Sequence, residues 1–346
     1  LAILSDATRR WVSLQASATS AAFVGVTGLT LSAGTVDVKI NRAANDGTRV
    51  DYTPNTLNVP TGGAPVTLSM AGEDGELLQA SGNLTIDVSS FVTLTGNLGF
   101  SKSGTNLTAV GSAVTASLTA GSANVTLANA QFGLQANENS VVFELKNGTF
   151  SAVISGLAAI SASSVLVQYT SATGAVTAGT TLTVGTIIYA FSGAIAASTV
   201  AVAVTGLNAT FSDFVTLTGN VGFKKSGTEI IATGNSVTAS LVAGTASVSL
   251  TNADFGLRVN GAAVSFELSN GSFTATIAGL AAISASSVLV QYTSATGAVT
   301  ANTALTVGAI TYTFVNSIAA NTVAVAVTGL NATFSDFVTL TGNVGF

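Results

Sequence analysis

The sequence predicts an all-β chain of tandem antiparallel β-strand repeats, 123 residues in period, stacked into an elongated rod or solenoid-like fibre. Three observations carry this. First, residues 91–100 read FVTLTGNLGF, and residues 214–223 and 337–346 both read FVTLTGNVGF, so the copies are spaced 123 residues apart each time. A fixed-period repeat sets the architecture before any local reading does. Second, the local hydrophobic period is two. Val264, Phe266 and Leu268 alternate with Ser265 and Glu267, and Phe273, Ala275 and Ile277 alternate with Thr274 and Thr276. That is the alternation of a strand, not the 3.6 of a helix. Third, the breaks carry turn pairs: Asn147-Gly148, Thr173-Gly174, Ser226-Gly227, Asn260-Gly261 and Asn270-Gly271. Such residues accept the positive φ that tight hairpins need.

Composition narrows the function. The 346 residues are 48% hydrophobic but only 7% charged, with 36 Gly, 3 Pro, no Cys and no His. An ordinary soluble domain carries roughly 25% charged residues. Here Thr, Ser, Asn, Ala and Gly take the place of charge. The net charge is −5, and the ten Lys and Arg are scattered, so the basic footprint of nucleic-acid binding is missing. No stretch of about 18 residues is apolar without interruption, so no transmembrane helix is expected. Without an initiator Met or a signal peptide, the chain reads as mature or as an excerpt of a longer polypeptide.

Taken in order, residues 1–90 form a divergent N-terminal β unit. They hold 8 of the 15 acidic and 5 of the 10 basic residues, and all three Pro: Pro54, Pro60 and Pro65. Residues 23–31, 35–40 and 64–70 read as strands, 52–66 as a loop and 71–76 as a turn. Residues 1–16 fit either a short helix or a strand beginning at Trp11. Residues 91–213 and 214–336 are the first and second β repeats, and 337–346 are the first strand of a third. Residues 155–223 align with 278–346 without a gap, 59 of 69 positions being identical, and most differences fall in 179–198 and 302–321. About seven strand-and-turn segments are expected in each repeat. Residues 255–259, 264–268 and 272–277 read as an antiparallel meander.

Val200, Val202 and Val204 alternate with Ala201, Ala203 and Thr205. The large face is expected to hold the core and Ala201 to point outward. In the 214–223 copy Gly219 interrupts the large face, which marks a bulge or a close backbone approach. Edge strands of free monomers are usually blunted by charge and Pro, yet residues 91–346 contain no Pro and few charges. The edges are therefore either closed within the fold or packed against like repeats and neighbouring subunits.

The stretch GLNATFSD followed by FVTLTGNVGFKKSG, at residues 206–227, resembles the tandem β-repeat regions of giant exported bacterial adhesin-like and RTX-associated surface proteins. So do the N-terminal stretches ASATSAAFVGVTGLTLSAGTVDVKINRAANDGTRVDYTP and LSMAGEDGELLQASGNLTIDV. The resemblance implies secretion to the cell surface, a structural or adhesive role and no active site. The RTX calcium nonapeptide GGxGxDxUx is missing, so β-roll calcium binding does not carry over.

No catalytic or cofactor-binding residue is assigned, and the chain reads as non-enzymatic. Nucleophile–base machinery needs a base poised near neutrality, and there is no His or Cys to supply one. Paired carboxylates are the remaining route to glycoside hydrolysis. The densest acidic cluster, Glu73, Asp74 and Glu76, lies in a Gly-rich turn and reads as solvated, as do Asp46 and Asp51 around Arg49. Calcium is the metal that suits oxygen-only ligands. Its candidates, Asp213 and Asp336, occupy equivalent places before the decapeptide, but one Asp per repeat falls short of a ligand set. Asn-x-Ser/Thr sequons are frequent, as in Asn147 and Asn270, and no phosphate-binding loop occurs. The function expected is a structural protein of an extracellular or cell-surface filament that associates with its own kind. The alternative is an adhesin stalk or binding module that recognises glycans or another cell surface.

Overall fold

A computed structural model describes residues 1–19, 21–23, 29–88, 92–121, 123–155, 158–211, 214–279, 281–335 and 337–346. These residues form β-strands and no helix. The first seven strands are β1 (Ala2–Ser5), β2 (Arg10–Ala18), β3 (Ala21–Phe23), β4 (Leu29–Arg42), β5 (Leu57–Val59), β6 (Val66–Leu68) and β7 (Leu77–Val88). Next come β8 (Val92–Ser103), β9 (Asn106–Ala120), β10 (Ala123–Ala136), β11 (Val141–Ile154), β12 (Ala158–Thr170), β13 (Thr181–Val184), β14 (Ile187–Ala190) and β15 (Thr199–Phe211). The pattern then recurs as β16 (Val215–Ser226), β17 (Glu229–Ala243), β18 (Ala246–Asn260), β19 (Ala263–Ile277), β20 (Ala281–Thr293), β21 (Ala304–Val307), β22 (Ile310–Thr313) and β23 (Val323–Phe334), followed by β24 (Val338–Gly345). Five pairs, from β8 and β16 to β14 and β22, begin and end 123 residues apart, so the sequence period is also a period of strands.

The chain divides into two compact units. The first comprises Leu1–Ala120, Thr126–Leu145 and Thr170–Ile195, and the second Gly121–Val125, Lys146–Tyr169 and Ala196–Phe346. In the first, β1, β2, β4, β7, β8 and β9 pair antiparallel in succession, and β3 extends β2 along the same side of β4. In the second, β12, β15–β20, β23 and β24 do the same. The short hairpins β5–β6, β13–β14 and β21–β22 stand apart from these ladders. Each is a cap that folds over one face of the sheet.

The caps explain where the core lies. In the second unit, Leu305, Val307, Ile310, Tyr312, Phe314 and Ile318 of the cap pack on Ala201, Ala203 and Ile231. In the first, Leu182, Val184, Ile187, Tyr189, Phe191 and Ile195, each 123 residues earlier, pack on Val110 and Val142. Isolated bridges, Val176 to Ile195 and Val299 to Ile318, close each cap loop. The sheet meets its cap with its smallest side chains. A paired row in the second unit runs Leu166, Ala203, Gly222, Thr233, Gly256, Glu267. A Cβ on Gly222 would come within 2.7 Å of Val307, and one on Gly256 within 2.3 Å of the Tyr312 ring. Gly133 makes the same room for Tyr189 in the first unit.

Several expectations need correction. Ala201 does not point outward: it is 1% exposed and Ala203 5%, whereas Val200 is 44% and Val202 37% exposed. The cap brings the bulk, so the sheet side that receives it is the one with small residues. Asn270-Gly271 and Asn147-Gly148 are not hairpin turns. Asn270 has φ 62° and Asn147 φ 63°, but β19 and β11 run straight through them. One left-handed residue adds a bulge instead of reversing the chain, as the register shift around Gly271 shows. True reversals occur at Gly227 and Gly261, with φ 58° and 59°. Bulges in place of turns make strands of 12 to 15 residues, and the described residues of the second repeat form eight strands, six in the sheet and two in the cap. The helix option at the N-terminus is also excluded, since β2 pairs along its length with β4. Part of residues 52–66 is strand β5 rather than loop.

At Gly219 both suggestions hold. The register shifts between Thr218 and Asn220, and an added Cβ would lie 2.8 Å from the Val237 backbone.

The inverted faces are testable by substitution. Ala203→Lys places an unpaired charge under the cap and should cost several kcal/mol. Val202→Lys, one residue away, should cost no more than about 1 kcal/mol. Urea unfolding midpoints measure both, and equal effects would contradict the assignment of the cap-facing side.

Candidate functional site

The chemistry-bearing group that the fold singles out is one glutamate per repeat, buried beneath the cap. Glu267 lies in the middle of β19, in the row of small residues, so its side chain rises towards the cap. It is fully buried. The Tyr312 hydroxyl donates to its Oε1 at 2.6 Å and the Val315 backbone N–H at 2.7 Å, while Gln291 Nε2 donates to Oε2 at 2.6 Å. Ser269 Oγ lies 3.2 Å from the same hydroxyl. Tyr312 and Val315 belong to the cap, Gln291 to β20. The carboxylate therefore ties the cap to the sheet.

The first unit repeats the arrangement with Glu144 on β11, also fully buried. Tyr189 Oη donates to Oε1 at 2.6 Å, the Ser192 N–H to Oε1 at 2.8 Å and Ser192 Oγ to Oε2 at 3.0 Å. Burial, and next the hydrogen bond to the carboxylate, push both tyrosine hydroxyls far above their ordinary range. They stay protonated and stay donors. Each ring stands edge-on to a second cap aromatic: Tyr189 to Phe191 at 5.5 Å and Tyr312 to Phe314 at 5.6 Å between centroids.

This is a latch by its chemistry. A buried carboxylate is costly unless hydrogen bonds replace its lost water. Three donors fixed by two elements replace it only when the cap is seated. The sequence reading missed both glutamates, because a lone Glu inside an alternating strand looks like its solvent face. The usable signal was the 123-residue coincidence of Glu144 with Glu267 and of Tyr189 with Tyr312.

The structure does not bring the other acidic residues together. Glu73 and Asp74 are exposed, and Glu76 faces Arg42 at 3.7 Å. Asp46 and Asp51 accept bonds from the backbone and hydroxyl of Thr48 and Thr53, two residues on, which closes their own loops. Hydrogen bonds from the Thr48 and Thr53 hydroxyls are the first cause that holds both carboxyls below the usual range. Asp6 falls to about 2, chiefly through its bond from Arg9. The calcium candidates Asp213 and Asp336 lie outside the described residues. Among the described residues, no group of three or more His, Cys, Asp or Glu is placed to hold a metal, and no helix is long and apolar enough to cross a membrane.

Comparison with protein-family models, curated proteins and solved structures finds no match.

Removing the acceptor strands its donors. Glu267→Ala should destabilise the protein by about 3 kcal/mol or more, and Tyr312→Phe by about 1.5–3 kcal/mol, because bonds to a charged partner are the strong ones. Hydrogen exchange locates the effect. Amides of residues 294–322 should lose protection before those of β17 and β18, and uniform loss across both would argue against a latch.

Proposed function

We propose that the chain is a non-enzymatic structural protein of an extracellular or cell-surface filament, assembled from like repeats. The observation that supports it most is the reiterated module of sheet, cap and latch. The same six apolar cap residues and the same Glu–Tyr bond recur at a spacing of 123 residues. A module that buries its own core and repeats with near-identical sequence adds length by duplication. The side of the sheet away from the cap adds a means of association. In the second unit, Tyr169, Val200, Val202 and Phe223 are 37–46% exposed on neighbouring strands β12, β15 and β16. Contiguous exposed apolar residues mark an association surface. Charge is scarce on the repeats, and the patch is bordered by one exposed lysine, Lys225, paired with Val200.

One observation favours a second reading, an adhesin stalk that recognises glycans or another cell surface. Ten positions differ between residues 155–223 and 278–346, and nine of them fall in the cap. In the second unit all nine are exposed: 302, 304, 309, 311, 313, 315, 316, 317 and 321. A recognition surface varies in this way while its core is held.

Electron microscopy of native material separates the two. Filaments with a regular axial repeat are expected, and monodisperse compact particles at high concentration would sink the filament reading. Val202→Lys combined with Phe223→Lys should weaken assembly while shifting the unfolding temperature by no more than about 4 °C. Unchanged assembly would remove the apolar side from the explanation.

A further inference from the structure

In the second unit a cleft opens between the cap loop and strands β18 and β19. Its volume is about 350 Å³, at the lower end of the range of small-molecule sites. Polar groups line it from both sides: Arg258, Asn260 and Ser265 from the sheet, Thr296, Thr300 and Thr303 from the loop, with alanine and valine surfaces between them. Arg258 and Ser265 are direct partners across β18 and β19, so their side chains share one face of the sheet. Ser265 is 8% exposed, and its hydroxyl has no hydrogen-bond partner among the described residues. A hydroxyl held that deep without a partner is costly. Here it borders the cleft, where a bound group can supply the missing bond.

The first repeat carries the same loop above different sheet residues. Residues 172–178 and 295–301 both read ATGAVTA. Yet Asn106, Gln135 and Val142 stand 123 residues before Glu229, Arg258 and Ser265. Val142 is 7% exposed and packs into the core of its cap. The loop therefore seats without a charge pair and without a hydroxyl beneath it. The second repeat has given up an apolar contact there and acquired three polar groups in its place, and the seating of the cap does not account for them.

The chemistry of those groups selects a ligand. Arg258 donates Nε–H to Glu229 Oε1 at 2.7 Å. The pair has no net charge, so it favours neither an anion nor a cation. It leaves guanidinium N–H donors and a carboxylate oxygen within one short span. A ligand with many hydroxyls, each donor and acceptor at once, matches this pair and the serine and threonine hydroxyls together. Its C–H faces match the alanine and valine surfaces between them. We propose that the cleft is a binding site for a neutral sugar, free or as the terminal unit of a glycan, held by Arg258 and Ser265 with Glu229 beside them. The proposal rests on the second reading above, to which it gives a place on the molecule, and it is independent of filament formation.

The test titrates the full chain with methyl glycosides of neutral hexoses and N-acetylhexosamines, with N-acetylneuraminic acid as the anionic comparison, by saturation-transfer NMR and calorimetry. The same sugars, as terminal units of immobilised oligosaccharides, separate a free sugar from a surface glycan, and binding in either form supports the site. At least one neutral sugar should bind with Kd below about 1 mM, at one site per chain. Arg258→Gln and Ser265→Val install the residue types that the first repeat carries at 135 and 142, so both variants should fold, as circular dichroism checks. Each should weaken binding about tenfold or more, since hydrogen bonds to a charged donor and to a buried hydroxyl are lost. Binding that survives both variants, or two equivalent sites per chain, overturns the cleft and leaves recognition by another surface standing. Preference for N-acetylneuraminic acid overturns the neutral class. No binding by any member of the panel overturns the cleft and the glycan reading together.

Discussion

The fold depends on the close approach of the cap to a row of very small side chains. The row from Leu166 to Glu267 has Ala, Gly, Thr and Gly between its ends. Glycine in a strand costs about 0.5–1 kcal/mol of backbone entropy. Here that cost is offset by what it admits: Tyr312 over Gly256, Val307 over Gly222 and, in the first unit, Tyr189 over Gly133. A β-branched residue at these positions, favoured by strand propensity alone, would lift the cap. Propensity is overruled by packing, and the glycines look like weaknesses only while the cap is left out of account.

Seating the cap then makes a buried carboxylate tolerable. Glu267 and Glu144 are fully buried, and the cap supplies donors to both: Tyr312 and the Val315 N–H to Glu267, Tyr189 and Ser192 to Glu144. The polar bonds and the apolar burial are satisfied by the same event. A cap that is half seated has neither, which makes its closure cooperative. The latch also gives the cap one position, since Tyr312 and the Val315 N–H reach the same oxygen from two points of the loop. An apolar hairpin on an apolar face, without that fixed point, has several nearly equal ways to lie.

Packing units and sequence repeats have different phases. The first compact unit joins residues 170–195 to strands that come before them, because the cap folds back over earlier strands. The face that residues 199–223 form where the first repeat meets the second is covered by residues 304–313 further along. This offset makes the second unit's core span the boundary between the two sequence repeats. The freedom of the cap's outer positions follows from the same geometry. They face away from the core, and there the copies differ, whereas the six inward cap residues do not.

Much of this was legible in the sequence. The period of 123 residues, the alternation at Val264–Leu268 and the reversals at Ser226-Gly227 and Asn260-Gly261 specify antiparallel repeats, because strand period and turn conformation are local properties of the backbone. Which face is the core was not legible. Alternation states that Val202 and Ala203 point to opposite sides, and hydrophobicity alone selects Val202. The choice falls on Ala203 because a hairpin more than 100 residues away brings Leu305, Val307 and Tyr312 to it. The same reason hid the Glu–Tyr latch and turned Asn270-Gly271 from a turn into a bulge held against β20. The sequence by itself determined the strands, their period and where most of them reverse. Only the tertiary structure decided which side is inside, since burial belongs to a pair of surfaces and not to either one alone.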